Sequence, residues 1–557
     1  MVLEVLRYRL TQVLVLVGPL ATLIINPWGN FDPISVVKLA AISTLAFFAL
    51  FLILSNWRIT AETSRALKLF VALFIVFLFS TFLFSGAPLD QQFWGMFGRN
   101  TGLLAYLSLV IILFATVVAK DLNFYSKLTN ALILTGVPMT VYCLVQISGN
   151  DPIGWSSFEA FGTLGNINFL SGFLGMVCVS TLSFLVDKKT TITKRILLST
   201  LLLTDLYIIQ STGSVQGLFV FGSGMSVVIF LRLRSGNLLG LKQITVLLLV
   251  FLVTVPTVAG LANKGPMAAY LFQNSIELRT DYWHAGFEMT QRKPLFGVGM
   301  DSYGDWYREA RGEISTLRGS PDRTANAAHN IFLDISSNGG IPLLLAFIAL
   351  LALALISSFR VYKNSEPTYD PLFAAIFATW IGYQVQALVS INQLGVGIWG
   401  WLLTGALIGY GEIISASEGR EKRSIQKKAM KTRLLPAFSA IMGFIGICVG
   451  FFLVWFPLNA DSNFFAAYKS RDWENISDSV EAVGSSAWHL SRSAELAFQQ
   501  QSFDEALEQA QKITSRYPRD FFGWRLLLYL PNSSESLKIQ ARSKLRELDP
   551  FNPEFKN

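Results

Sequence analysis

Two residues with complementary chemistry lie in one long polar segment, residues 274–342. His329 stands in the sequence AAHNIFLD. An imidazole with an unperturbed pKa of about 6.5 can accept a proton from a hydroxyl near neutral pH. Arg279 stands in ELRTDYWHAG, and a guanidinium holds a diphosphate with forked donors without losing its proton. These residues predict a site that binds an anion and activates a hydroxyl. The structural alternatives are a helix-capping histidine and an arginine paired with Glu277, Asp281 or a lipid headgroup.

Other polar residues of this segment are candidates for holding a substrate. Trp283 comes one helical turn after Arg279 and could flank a sugar or an isoprenoid. Asn330 directly follows His329. Arg292 precedes the glycine pair of PLFGVGMDSYG, which has too little strand and helix context for a nucleotide-binding loop.

Four further candidates lie at the ends of apolar runs elsewhere in the chain. Arg99 stands in WGMFGRNTGLL, Asn166 and Asn168 in FGTLGNINFLSG, and Gln216 in STGSVQG. Arginine suits an anionic ligand, and amides suit sugar hydroxyls. The alternatives are an arginine bound to lipid phosphate, helix caps for the asparagines, and a small-residue helix contact for STGSVQG.

The composition indicates a membrane protein that positions these residues on helices. Of 557 residues, 52% are hydrophobic and 15% are charged, and the mean hydropathy is +0.46. A soluble protein carries roughly 25% charged residues. The net charge of +8 comes from short basic clusters between apolar runs, so we expect no nucleic-acid partner. The sequence has no HExxH, Walker or CxxC pattern, and we expect neither a metal nor another cofactor.

Apolar runs of about 20 residues, the length that crosses a bilayer, predict an all-α fold with about thirteen transmembrane helices. The runs lie near 9–26, 35–54, 67–85, 101–119, 129–147, 168–186, 195–211, 214–231, 242–262, 340–359, 371–390, 394–414 and 434–456. The runs that meet at Gln210–Ser214 could form two helices or one broken helix.

Lys and Arg predict the orientation, because they accumulate in cytoplasmic loops. The basic clusters fall in alternate loops when all the runs are counted separately, beginning with Arg7 and Arg9. The N-terminus is then cytoplasmic, and both the loop 263–328 and everything after Trp455 are extracytoplasmic. The first run continues to Asn26 without a cleavage pattern, so we interpret it as a span rather than a signal peptide.

The chain divides into a transmembrane domain, residues 1–456, and a tail, residues 457–557. In the tail, Ala506, Ala510 and Ile513 have helical spacing and are followed by Pro518 and a new amphipathic stretch. This pattern resembles degenerate tetratricopeptide repeats. It predicts a small extracytoplasmic α-helical repeat domain that binds a protein partner.

The ordered motifs of the long polar segment resemble the O-antigen ligase and polymerase family. They are R-x-x-x-W from Arg279, then KPLFGVG, then H-N at His329, with Gly340 after nine more residues. GRNTGLL and GNINFLSG fit the same family, and the resemblance covers about residues 1–456. It implies a C-type membrane glycosyltransferase in the bacterial plasma (inner) membrane. Such an enzyme passes a glycan from polyprenyl (undecaprenyl) diphosphate to a lipid or protein acceptor at the outer face, in cell-surface polysaccharide biosynthesis.

The resemblance also implies roles for individual residues. His329 would orient or deprotonate the acceptor hydroxyl, with Asn330 beside it, and Arg279 would hold the diphosphate. Two positions depart from the family pattern. The segment Gly213–Gly217 has no arginine, for which Arg99 is the candidate replacement, and Leu343 stands where a glycine is expected.

Several functions remain open at this point. A ligase, a polymerase of lipid-linked repeat units and a protein O-oligosaccharyltransferase would share these motifs. A transporter of the same lipids is the non-enzymatic alternative, but ionisable residues are nearly absent from the span centres, with Asp205 as the visible exception. A membrane anchor for the tail would need one span only.

Overall fold

The computed structural model describes residues 2–156, 158–234, 274–318, 320–365, 368–421, 436–471 and 473–555, with isolated residues between 240 and 268. Within these residues the regular structure is helical and contains no strand. The predicted all-α fold is therefore confirmed.

The first helices form the larger part of a membrane bundle. They are α1 (Val2–Leu23), α2 (Ser35–Ser55), α3 (Arg65–Phe84), α4 (Leu89–Trp94), α5 (Leu103–Ala119), α6 (Leu122–Ile147), α7 (Ile167–Leu185), α8 (Ile192–Ser211) and α9 (Gln216–Arg232). Because α8 ends at Ser211 and α9 begins at Gln216, the two runs that meet there form separate helices.

The polar segment supplies three helices, and the bundle then resumes. The helices are α10 (Asn274–Arg292), α11 (Tyr303–Ala310), α12 (Glu313–Arg318), α13 (Ile331–Asn364), α14 (Pro371–Ala387), α15 (Leu394–Glu421) and α16 (Pro436–Ser470). The tail contains α17 (Trp473–Glu481), α18 (Ala487–Gln499), α19 (Phe503–Arg516), α20 (Phe521–Tyr529) and α21 (Glu535–Leu548).

Seven of the described helices are long and apolar enough to cross a membrane, namely α2, α3, α6, α7, α13, α15 and α16. Helices α5 and α9 are apolar but shorter. Every predicted run lies on a described helix except 242–262, most of which falls outside the described residues. The chain is therefore a polytopic integral membrane protein, while the number of about thirteen spans stays a prediction.

Burial separates the centre of the bundle from its rim. The apolar stretch of α15 is buried along its whole length, and Trp399 in that helix has no exposed surface. Helix α15 packs against α1, α5, α13 and α14. By contrast, α3 exposes Leu69, Val76 and Leu83, which is the expected pattern for a helix that faces lipid.

A break in α13 separates a short polar turn from the apolar span. Gly340 has a left-handed φ of 80°, and a Cβ there would lie 2.4 Å from the Leu295 carbonyl oxygen. The Ile341 amide donates to Pro294 O at 2.8 Å, and the Val298 amide donates to Ser337 O at 2.8 Å. The glycine-containing loop 293–299 therefore packs directly onto the start of α13.

The tail continues from the bundle without a break, because α16 runs across the predicted boundary at residue 456. Successive tail helices pack on one another, from α18 on α19 to α20 on α21. The division into two domains and the likeness to tetratricopeptide repeats stay predictions.

Candidate active site

Three predicted site residues from distant parts of the chain come together at one face of the bundle. His329 precedes α13, Arg279 lies on α10, and Arg99 lies in the loop between α4 and α5. Burial, followed by the positive charges of Arg279 and Arg99, lowers the pKa of the His329 imidazole to about 4. These cations therefore lie within electrostatic reach of the imidazole, which is neutral at pH 7.

The backbone around His329 is held in an uncommon conformation. His329 has a left-handed φ of 52°, between two anchored neighbours. The Ala328 amide donates to Asp334 Oδ1 at 2.7 Å, and Asn330 Oδ1 accepts from the Phe332 amide at 3.0 Å. The imidazole stacks on the Tyr282 ring of α10 with 5.3 Å between centroids. Strained residues of this kind persist only where their surroundings fix them.

Arg279 has none of the carboxylate partners that the sequence offered it. Glu277 and Asp281 instead pair with Arg318, at 3.1 and 3.4 Å. Arg279 Nε is buried and has no hydrogen-bond partner among the described residues. Its burial lowers the pKa of the guanidinium, which nevertheless stays charged.

Trp283 lies one turn after Arg279 on α10 and shows the same feature. Its Nε1 is buried and lacks a hydrogen-bond partner within the described part of the chain. Buried donors are nearly always paired in folded proteins. These two donors, at i and i+4 on one helix face, could both donate to the acceptor oxygens of a bound ligand.

Arg99 is fixed more firmly than Arg279. Its Nε lies 3.5 Å from Asp301 Oδ1, and its Nη1 donates to the Asn326 carbonyl oxygen at 2.5 Å. Asp301 Oδ2 also accepts from the backbone amides of Met96 and Thr101, at 2.8 and 3.0 Å. Asp301 thus ties the Arg99 loop to the polar segment and balances part of the arginine's charge.

Two other predicted residues of the polar segment have structural partners. Asn330 caps α13, and its Oδ1 accepts from the Phe332 and Leu333 amides. Arg292 pairs with Glu288 at 2.8 Å and with Glu309 at 2.9 Å. It lies 13 residues after Arg279 on the same helix, which is about 20 Å at the helical rise of 1.5 Å per residue. The structure does not bring it to His329.

The predicted amides form a second polar group on the same face of the bundle. Asn166 caps α7 through the Asn168 amide at 2.8 Å. Ser214 Oγ donates to Asn168 Oδ1 at 2.8 Å, and Gln216 Nε2 donates to Val389 O at 3.4 Å. Asn168 and Gln216 therefore line a contact between α7, α9 and the loop after α14.

Sequence reasoning missed several residues of both groups. The sequence held a signal for Tyr282, which lies one helical turn after Arg279, and for Asp334, which lies one turn after Asn330. It held no signal for Asp301. Around the second group, Gln386 Oε1, Ser390 Oγ and Asn392 Oδ1 are buried without a partner in the described residues. Polar residues interrupting the apolar run VQALVSINQ were the available signal.

Tyr106 on α5 connects the two groups. It lies beside Asn392 of the second group and within electrostatic reach of Arg99 and Asp334. The face thus combines cations and a neutral imidazole with a row of uncharged hydrogen-bonding groups. This combination can hold an anionic group and, beside it, a molecule rich in hydroxyls.

A comparison with known proteins agrees with this geometry. Residues 197–348 match the family model described as O-antigen ligase. The match contains Arg279, Trp283 and His329, and it leaves out Arg99 and the tail. No curated protein matches the chain. Residues 197–348 are therefore a region of the O-antigen ligase family within a chain that is an integral membrane protein.

Proposed function

We propose that the protein transfers a glycan from a polyprenyl-diphosphate carrier to an acceptor at the outer face of the plasma membrane. The family match supports membrane glycosyl transfer of the O-antigen ligase or polymerase type in general. The observation that supports the finer proposal is the pair of unpartnered donors, Arg279 Nε and Trp283 Nε1, on the helix whose Tyr282 ring stacks on His329.

In this proposal the diphosphate of the donor binds at Arg279, and Arg99 adds a second positive charge. Negative charge builds on the diphosphate as its bond to the anomeric carbon breaks. Cations that are already fixed in place stabilise this charge without reorganisation. The requirement for reorganisation is small here, since Asp301 and the Asn326 carbonyl hold Arg99 in place.

His329 acts as the base. The acceptor hydroxyl oxygen attacks the anomeric carbon, its proton passes to the imidazole, and polyprenyl diphosphate leaves with the bonding electrons. A neutral imidazole is required, and burial together with the two arginines keeps it neutral. A bound diphosphate offsets those positive charges, so the imidazolium is stabilised as it forms. Attack opposite the leaving group inverts the anomeric centre.

The acceptor belongs to lipid, protein or a growing glycan, and the three choices define a ligase, an oligosaccharyltransferase and a polymerase. The uncharged groups around Gln216 and Asn392 supply hydrogen-bonding partners for sugar hydroxyls beside the cations. They suit the sugar residues of the donor glycan and equally those of a carbohydrate acceptor.

The test is the surface-glycan profile of cells that lack the protein, complemented with wild type, His329→Ala or His284→Ala. His284 is the matched control, because it lies on α10 beside Trp283 with its side chain exposed. We expect wild type and His284→Ala to restore the profile and His329→Ala to fail.

The intermediate that accumulates distinguishes the acceptors. Long chains on polyprenyl diphosphate indicate transfer to lipid or protein, whereas single repeat units on the acceptor indicate polymerisation. Full restoration by His329→Ala would exclude His329 as the base. An unchanged profile in the deletion strain would contradict glycan transfer.

A further inference from the structure

A cavity of about 250 Å³ lies between the α4–α5 loop, the polar segment and the tail. Residues from all three regions line it, including Phe97, Asn326 and Trp488. The family match ends at residue 348, so it does not include the tail residues that close this cavity.

The charges of the lining disfavour an anionic ligand. Asp90, Asp305, Asp461 and Asp520 line the cavity, and no lysine or arginine is among its described lining residues. Burial raises the pKa of Asp305 to about 7 and that of Asp520 to about 6. No group of three or more potential metal ligands occurs among the described residues. The lining therefore suits a neutral molecule that donates and accepts hydrogen bonds.

Aromatic rings and an unpartnered hydroxyl add to this surface. Phe97 and Trp488 stack with 4.2 Å between centroids and 8° between planes, and both line the cavity. Ser485 also lines it, is 2% exposed, and its Oγ has no hydrogen-bond partner within the described structure. Aromatic walls with a few polar groups are typical of small-molecule sites.

The tail side of the cavity is held rigidly. His489 Nδ1 accepts from the Ser486 amide at 3.1 Å, so the ring proton is on Nε2, which lies 3.2 Å from Asp461 Oδ1. This ties α18 to α16. On the opposite side, Asp90 Oδ2 accepts from Arg516 Nη2 at 2.7 Å and from Tyr517 Oη at 2.6 Å.

The cavity and the active site share a wall. Asn326 lines the cavity, and its carbonyl oxygen accepts from Arg99. Asn100, the residue after Arg99, also lines the cavity. A ligand here would lie directly behind the Arg99 loop.

From this lining we infer that the cavity binds neutral sugar residues of a glycan, and that the tail is therefore a determinant of glycan specificity. The inference rests on the proposed function for the source of the glycan. The volume is slightly below the roughly 300–1,000 Å³ of pockets for drug-sized ligands, which suits one or two sugar rings. Sugar hydroxyls would donate to the carboxylates and accept from Ser485, while a sugar face would pack on an aromatic ring.

The test uses full-length protein in detergent and isothermal titration calorimetry. One probe is the oligosaccharide released by mild acid from the cells' lipid-linked donor glycan. The other is the acceptor oligosaccharide released from the cells' surface glycolipid. Ser491→Trp fills the cavity, Ser491→Ala keeps it open, and Gln499→Trp places the same bulk on α18 at an exposed position outside the lining. Ala487→Phe is a second filling variant in case the first fails to fold.

We expect Ser491→Trp to weaken binding of one oligosaccharide by about tenfold or more, with Ser491→Ala and Gln499→Trp close to wild type. Loss of the donor probe assigns the cavity to the donor glycan, and loss of the acceptor probe assigns it to the acceptor. Equal affinity of Ser491→Trp and wild type, or no binding of either probe to wild type, would overturn the inference. Pyrophosphate binding should be unchanged in Ser491→Trp. Absence of pyrophosphate binding in wild type would count against the proposed function alone.

Discussion

Arg311 and Arg279 both lie in the polar segment, but their surroundings differ in one decisive respect. Arg311 is 1% exposed, and its Nη2 contacts both carboxylate oxygens of Asp549 in the tail, at 2.9 and 2.7 Å. Arg308 reaches the same carboxylate at 3.1 Å. Arg279 is half-buried near His329 and has no carboxylate partner among the described residues, since Glu277 and Asp281 pair with Arg318 instead.

The difference separates structural arginines from the arginine that we propose to bind the diphosphate. A buried charge costs free energy unless an opposite charge or hydrogen bonds compensate for it. Asp549 provides that compensation at the junction with the tail. Beside His329 the compensation is incomplete in the described structure, and a bound anion would complete it.

The largest effect should come from His329→Ala. General-base catalysis contributes roughly 10²–10⁴-fold, so glycan transfer by the purified protein should fall by that factor. A transfer assay with lipid-linked donor measures it. His284→Ala should keep the wild-type rate, and an equal loss in both variants would show that the effect is not specific to His329.

The corresponding test of the structural arginines, Arg308 and Arg311, is Asp549→Ala. It leaves Arg311 buried without its carboxylate, and breaking a buried pair in this way typically costs about 3–5 kcal/mol. Thermal unfolding followed by limited proteolysis should show loss of the tail before the bundle. Asp322→Ala is the control, since its pair with Arg525 at 2.7 Å is exposed. Equal melting of both variants would contradict a structural role for Asp549.

Arg279→Lys should lower transfer by about 10²-fold, the cost of removing one oriented donor that acts on developing charge. A lysine keeps the charge but lacks the fork. The purified variant should insert and elute from gel filtration like wild type. Transfer at the wild-type rate would mean that Arg279 has a structural role.

The pH dependence should show the lowered pKa of His329. The base is active when neutral, and burial and the arginines disfavour its protonation, so activity should persist below pH 6.5 and fall near pH 4. The profile of kcat/KM against pH measures this limb for the free enzyme. A limb near pH 6.5 would contradict a site in which Arg279 and Arg99 act on the imidazole.

The smallest effect should come from Asn166→Ala. Its side chain caps α7, and loss of such a cap costs about 1 kcal/mol of stability. Transfer at low temperature should match wild type. A large loss of transfer without loss of stability would restore Asn166 as a substrate-binding residue.

Much of the fold could be predicted because its signal is local. Each predicted apolar run except 242–262 coincides with a described helix, and the polar residues at Gln210–Ser214 indicated the break between α8 and α9. His329 and Arg279 were recognisable because their chemistry and motif order lie within one segment. Arg99 was a candidate beside them only through the family pattern, as the replacement for a missing arginine. The contacts that place it there carried no local signal, since Asp301 binds the backbone of a loop about 200 residues earlier in the chain.

The remaining differences between prediction and structure concern which charged residues pair with one another. The sequence offered Glu277 and Asp281 to Arg279, but tertiary packing gives both to Arg318. The Glu288–Arg292 pair had the i, i+4 spacing of a helical ion pair and was visible in the sequence. The residues that line the tail cavity come from distant segments, so no single stretch carried a signal for it.

The most direct test of the account is the affinity for farnesyl diphosphate of wild type, Arg279→Lys and Arg292→Lys, measured by titration calorimetry in detergent. Both substitutions lie on α10, one at an arginine without a carboxylate partner in the described structure and one at an arginine with two. We predict a loss of about tenfold or more for Arg279→Lys and wild-type affinity for Arg292→Lys. Equal affinity of Arg279→Lys and wild type would contradict the assignment of the diphosphate to Arg279.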